Sequence, residues 1–140
     1  MLAFQSMPSR PMPLSLALML GTMLAGLAIR FAPLGLPPFV VKYGGSALWA
    51  LTIYWMVSAL LPGLRISAVA TASGVLAAAV ECFKLYNPPK VDAFRRTLPG
   101  MLLLGRYFSG WDLIAYAVAI LARALLDWHF RQRLSKKCPA

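Results

Sequence analysis

The residues that could do chemistry are concentrated between two apolar segments, in the stretch from Glu81 to Tyr116, which holds three of the four acidic residues. Charged groups next to long apolar segments need a partner or a function. Arginines in such a place can hold a phosphate, and carboxylates can hold a metal or move a proton. The candidate ligand-binding residues are Glu81, Asp92, Arg95, Arg96, Asp112 and Tyr116.

The same charges could instead serve the structure alone. Glu81, Asp92 and Asp112 could neutralise nearby bases, because charges removed from water must be paired. Lys84 is placed to pair with Glu81, three residues away, and Tyr116 is expected to donate a hydrogen bond to Asp112, four residues away. Both interpretations, a polar binding site and internal ion pairing, stay open.

Signatures of known chemistry do not appear in the sequence. It has no nucleophilic serine motif, phosphate loop or dinucleotide fingerprint, so an enzymatic activity is not indicated. The single histidine, His129, stands far from the acidic residues, and Cys82 and Cys138 lack metal-type spacing. We therefore expect no metal and no cofactor.

The composition indicates a membrane protein. The chain is 60% hydrophobic and 13% charged, with a mean hydropathy of +0.70, whereas soluble domains are about 45–50% apolar and about 25% charged. The net charge of +10 is carried by bases at helix ends and in loops. This placement suits anionic lipid headgroups, so we expect membrane lipids rather than nucleic acid as partners.

The apolar segments predict an all-α fold with four transmembrane helices. Their expected ranges are about 13–29, 46–61, 65–83 and 109–130. Prolines 33, 37 and 38 predict that the segment from 31 to 45 has no regular helix. Asn87-Pro88-Pro89 should break the chain after the third span, and a short amphipathic turn over 91–98 should stop at Pro99-Gly100.

These ranges place a re-entrant or interfacial segment between the third and fourth spans. The domain organisation is then an interfacial segment over residues 1–12, one transmembrane domain over 13–130 and a basic tail over 131–140. A strip of small residues in the third span ends at Glu81 and predicts close packing against a neighbouring helix.

The fourth span carries a polar line at helical spacing, which should face protein rather than lipid. Ser109 is a candidate cap for this helix, with Asp112 in its first turn. Arg123 and Asp127 are expected to pair on the helix surface. The members of the line are Asp112, Tyr116, Ala119, Arg123 and Asp127.

The basic residues give a weak signal for orientation. The side that holds both termini carries six of them, Arg10, Arg65, Arg131, Arg133, Lys136 and Lys137. The other side carries seven, Arg30, Lys42, Lys84, Lys90, Arg95, Arg96 and Arg106. If acidic neighbours neutralise the bases of the re-entrant segment, the basic tail sets the orientation and both termini are cytoplasmic.

Several separated motifs carry a resemblance to a known family. They are Gly26 with Arg30, the segment from Lys42 to Trp49, Glu81 with Leu85-Tyr86, the run from Val91 to Gly100, Leu104-Gly105, Phe108, and Asp112-Leu113 with Ala115-Tyr116. Over roughly residues 26–127 the chain resembles the bacterial inner-membrane family called domain of unknown function 2809. The architecture of the chain also resembles that of the VanZ-like membrane proteins.

Three positions depart from the pattern of that family, which usually places an acid at Ser46, a glutamine at Lys84 and a glycine at Ala119. The resemblance implies a multi-pass protein of the bacterial inner membrane. We expect either a site for an anionic lipid-linked phosphate or another envelope-derived ligand, or a non-catalytic assembly subunit that docks a membrane partner or a second copy.

Overall fold

The computed structural model describes residues 11–105 and 107–137, which form six helices and no strand. They are α1 (Met12–Phe31), α2 (Pro38–Leu60), α3 (Ile66–Phe83), α4 (Pro89–Arg95), α5 (Leu98–Leu104) and α6 (Gly110–Lys137). Most of the predicted N-terminal segment with Arg10, as well as Arg106 and residues 138–140, lie outside the described residues.

The four long helices form a bundle with α2 at its centre. Helix α2 packs against α1, α3 and α6, and α3 also packs against α6. The core consists mainly of residues from α2, α3 and α6, among them Ala50, Ile53, Tyr54, Val69, Ala77 and Ile120. Because each long helix runs back along the previous one, the end of α3 and the start of α6 meet at one end of the bundle.

The expectation of an all-helical membrane chain agrees with the lengths and composition of these helices. Three of them are long and apolar enough to cross a membrane: Met12–Phe31, Ile66–Phe83 and the range Gly110–Arg133 of α6. Helix α2 has 23 residues, but its buried face carries Thr52, Tyr54 and Ser58. Polar atoms on a central helix lower its hydropathy while its neighbours shield them.

Three helix boundaries differ from the predicted ones. Helix α2 begins at Pro38, because proline at the first helical position loses no intrahelical hydrogen bond. Pro99 and Gly100 do not stop a helix but lie in the first turn of α5, where the side chain of Thr97 accepts a hydrogen bond from the Gly100 N–H at 3.3 Å. Helix α6 continues past Phe130, so the first part of the predicted tail is helical.

Helices α4 and α5 form a tight hairpin over one end of the bundle. Each has seven residues and is about 10 Å long, too short to cross a membrane. A Cβ atom on Gly100 would lie 1.9 Å from the carbonyl oxygen of Phe94, so only glycine fits this contact. The hairpin occupies the predicted re-entrant or interfacial segment, whose depth in a membrane stays a prediction.

Candidate functional site

The centre of the site is Glu81, whose side chain is completely buried. Its Oε1 accepts the backbone N–H of Ser109 at 2.8 Å, and its Oε2 accepts the hydroxyl of Tyr116 at 3.1 Å. The ammonium group of Lys84, itself buried, donates to the same Oε2 and forms the predicted ion pair. One carboxylate thus joins the end of α3 to the start of α6.

The sequence of α3 explains why a carboxylate reaches this depth. Val69, Ser73, Ala77 and Glu81 are buried and stand four residues apart, so they form one face of the helix. Helix α6 packs against α3, and Ala77 and Glu81 of this buried face belong to the predicted strip of small residues, whereas the other strip members are not fully buried. The last member of the face therefore meets the first turns of α6 instead of solvent.

A glycine lets the chain after α5 pass close to Lys84. Gly105 has a φ of +64°, a backbone conformation that residues other than glycine rarely adopt. A Cβ atom at this position would also lie 2.8 Å from Cε of Lys84. The chain that leaves α5 can thus pass directly over the lysine.

Asp112 is the second buried carboxylate of the site, with 7% of its surface exposed. Its Oδ1 accepts a hydrogen bond from the hydroxyl of Ser46 at 3.1 Å, which joins α6 to α2. It lies in the first turn of α6, as predicted, where the helix dipole favours a negative charge. The predicted bond from Tyr116 to Asp112 is wrong, since the tyrosine hydroxyl donates to Glu81 across the interface between α3 and α6.

Arg95 has a different environment from the one expected of an ion-paired residue. It is buried, with 1% of its surface exposed, and donates to Oδ1 of Asn87 at 2.5 Å and to the carbonyl oxygen of Phe83 at 2.7 Å. It donates more weakly to the carbonyl oxygen of Lys84 at 3.4 Å. These carbonyls end α3, so the guanidinium group stabilises the negative end of that helix and holds α4 against it.

Asp92 of α4 and Arg96, which follows the last residue of α4, form a separate pair on the exposed surface of the α4–α5 hairpin. Oδ2 of Asp92 accepts Nη2 of Arg96 at 2.9 Å and Nε at 3.2 Å. The six predicted site residues therefore fall into three groups: Glu81, Asp112 and Tyr116 together, Arg95 at the end of α3, and the exposed pair on α4.

A cavity of about 1020 Å³ opens beside the first group. Its polar end is formed by Arg30, Lys42, Lys84 and Asp112, with Ser46, Ser109 and Tyr116. Arg30 and Lys42 had been assigned no part in the site. Their place at the end of α1 and the start of α2 could have indicated it, because helices that run antiparallel bring those ends together.

The opposite end of α6 holds a second polar group. Oδ2 of Asp127 accepts the hydroxyl of Tyr54 at 2.8 Å, and its Oδ1 accepts Nη2 of Arg123 at 2.5 Å. The guanidinium carbon of Arg123 lies 4.5 Å from the ring centre of Trp55. The pair is confirmed, but it faces α2 rather than the helix surface.

With this geometry in place, comparison with known proteins gives one family. The family described as protein of unknown function (DUF2809) matches residues 35–120, more than half of the chain. The chain belongs to this family. No solved structure matches it.

The DUF2809 range covers α2 to the first part of α6, and thus Glu81, Asp112 and the α4–α5 hairpin. Of the three positions expected to depart from the family pattern, Ser46 and Lys84 line the cavity and Ala119 packs against the core.

Proposed function

We propose that this chain is a small multi-pass protein of the bacterial inner membrane that binds an anionic lipid-linked or other envelope-derived ligand in the cavity beside Asp112. The single observation that carries this proposal is the cavity itself, which combines apolar walls with a cationic end. Its volume of about 1020 Å³ is at the upper end of the range of about 300–1,000 Å³ typical of ligand pockets.

The cations at its mouth support an anionic ligand. Arg30 and Lys42 line the cavity and are exposed, and among the described residues no carboxylate lies within ion-pairing distance of either. Lys84, by contrast, is paired with Glu81. The first two cations are therefore available to a phosphate or carboxylate group.

The apolar walls support a ligand with a hydrocarbon part. Met23 and Leu27 of α1, Trp49 of α2 and residues 101–104 of α5 line the cavity. Along α1 it extends from Arg30 back to Thr22, eight residues and thus about 12 Å. An amphipathic molecule with its charged group near Arg30 would place its chain against these side chains.

The same proposal includes α2 as the fourth span. Its 23 residues are long enough to cross, and its polar side chains face the bundle. At the cavity end of the bundle, Lys84 and Arg96 are paired with carboxylates. Discounting those paired bases favours cytoplasmic termini, and the cavity then faces the opposite side of the membrane.

The proposal is tested by measuring retention of an anionic lipid. The full chain is placed in nanodiscs of phosphatidylcholine with a minor fraction of phosphatidylglycerol, then released into detergent and analysed by native mass spectrometry. We expect one phosphatidylglycerol per chain. The double variant Arg30→Gln/Lys42→Gln should lose at least about tenfold in affinity, because hydrogen bonds to charged groups are worth about 1.5–3 kcal/mol each.

A matched control removes the same charges elsewhere. Lys90 and Arg133 do not line the cavity, so the variant Lys90→Gln/Arg133→Gln should retain the lipid as the parent does. Equal losses in the two double variants would show that net charge alone attracts the lipid, and would contradict a site in the cavity.

A second candidate function, a non-catalytic assembly subunit, is favoured by the internal pairing of the other charges. Glu81 with Lys84, and Asp92 with Arg96, are each satisfied within the chain. In this case the charges hold the α4–α5 hairpin so that it can dock a membrane partner or a second copy. Retention of lipid that is unaffected by Arg30→Gln/Lys42→Gln would support this function.

A further inference from the structure

The charge of the cavity restricts the ligand that it can take. Lys84 is neutralised by Glu81, which leaves the positive charges of Arg30 and Lys42 against the negative charge of Asp112 at the polar end. Among the described residues that line the cavity, the remainder is one positive charge. Arg30 and Lys42 attract a negative charge and Asp112 repels one, so the best fit is a ligand with one negative charge.

Asp112 adds a second requirement. Its Oδ1 accepts the hydroxyl of Ser46, whereas no donor among the described residues hydrogen-bonds to Oδ2. A carboxylate has about four acceptor positions, and this one lines the cavity with little exposure to water. A ligand that places a hydroxyl group beside Oδ2 would satisfy it without changing the charge balance.

From these two observations we propose that the ligand carries a polyol phosphodiester, one phosphate anion esterified on both sides with a free hydroxyl next to it. The phosphate contacts Arg30 and Lys42, and the hydroxyl donates to Asp112. This inference rests on the proposed function and names its ligand class. A phosphomonoester carries up to two negative charges, so Asp112 repels it more strongly. A phosphoethanolamine headgroup has no net charge, so it leaves the positive charge of the cavity without a partner.

The test is a headgroup series with the full chain, measured by native mass spectrometry in one detergent. The probes are phosphatidylglycerol, phosphatidic acid and phosphatidylethanolamine with identical acyl chains, and deacylated glycerophosphoglycerol as a soluble form of the same headgroup. We expect phosphatidylglycerol to bind about tenfold more tightly than the other two lipids, about the effect of one hydrogen bond to a charged group. The soluble probe shows whether the headgroup is taken from a lipid or free.

The variant Asp112→Asn reverses the expected order. It raises the cavity to two positive charges and keeps the size of the side chain, so phosphatidic acid should then bind at least as tightly as phosphatidylglycerol. Asp92→Asn removes the same charge from the exposed surface of α4 and should leave the order unchanged.

Two outcomes would overturn the inference. Phosphatidic acid that binds the parent as tightly as phosphatidylglycerol would overturn the phosphodiester alone and leave the proposed function standing. Failure of all three lipids and the soluble probe to bind would overturn the proposed function as well. Because the headgroup series uses the parent chain, the inference is tested even if Asp112→Asn does not fold.

Discussion

The variant Glu81→Gln tests the buried carboxylate that pairs with Lys84 and joins α3 to α6. Glutamine keeps the size of the side chain but only one acceptor oxygen, which can take the place of Oε1 and still accept the Ser109 N–H, while its NH₂ group replaces Oε2 and cannot accept from the Tyr116 hydroxyl. The lost charge leaves the ammonium group of Lys84 unpaired at 9% exposure. Breaking a buried pair in this way costs about 3–5 kcal/mol, so we expect a loss of this size in the free energy of unfolding.

The loss is measured by titrating detergent-solubilised protein with SDS and following tryptophan fluorescence. The double variant Glu81→Gln/Lys84→Met removes the unpaired charge and should recover most of the stability. Asp92→Asn breaks an exposed pair and should cost no more than about 1 kcal/mol. A single variant Glu81→Gln as stable as the parent would refute the claim that the buried Glu81 carboxylate stabilises the junction of α3 and α6.

Two further predictions concern the hairpin and the second polar group. Gly100→Ala forces a Cβ atom against the carbonyl oxygen of Phe94 and should lower the free energy of unfolding by about 1–3 kcal/mol in the same SDS titration. The control Gly44→Ala, in open space on α2, should raise it by up to about 1 kcal/mol. Equal effects of the two substitutions would contradict the close contact. Tyr54→Phe removes a hydrogen bond to Asp127 and should cost about 1.5–3 kcal/mol; no change in the SDS midpoint would contradict that bond.

Periodicity and composition predicted those features that depend on one helix at a time. The bounds of α3 followed from its apolar run, and Glu81 stands at the end of the predicted strip of small residues. The pairs of Lys84 with Glu81 and of Arg123 with Asp127 join residues three or four positions apart, and such neighbours meet on any helix.

Features that depend on how helices meet could not be predicted in the same way. The partner of Tyr116 lies on α3 rather than one turn away on α6, and Arg95 binds the last carbonyls of α3 rather than a carboxylate. Arg30 and Lys42 reach the site because α1 and α2 run antiparallel. The prolines also gave a wrong start for α2, since Pro38 begins a helix that it was expected to exclude.

The most direct test of the account is a crystal structure of the full chain grown in a lipid mesophase doped with phosphatidylglycerol. We predict density for a phosphate group in contact with both Arg30 and Lys42, a hydroxyl beside Oδ2 of Asp112, and a hydrocarbon chain along Met23 and Leu27. A cavity without lipid density, with ordered phosphatidylglycerol only on the outer surface of the bundle, would contradict the central claim.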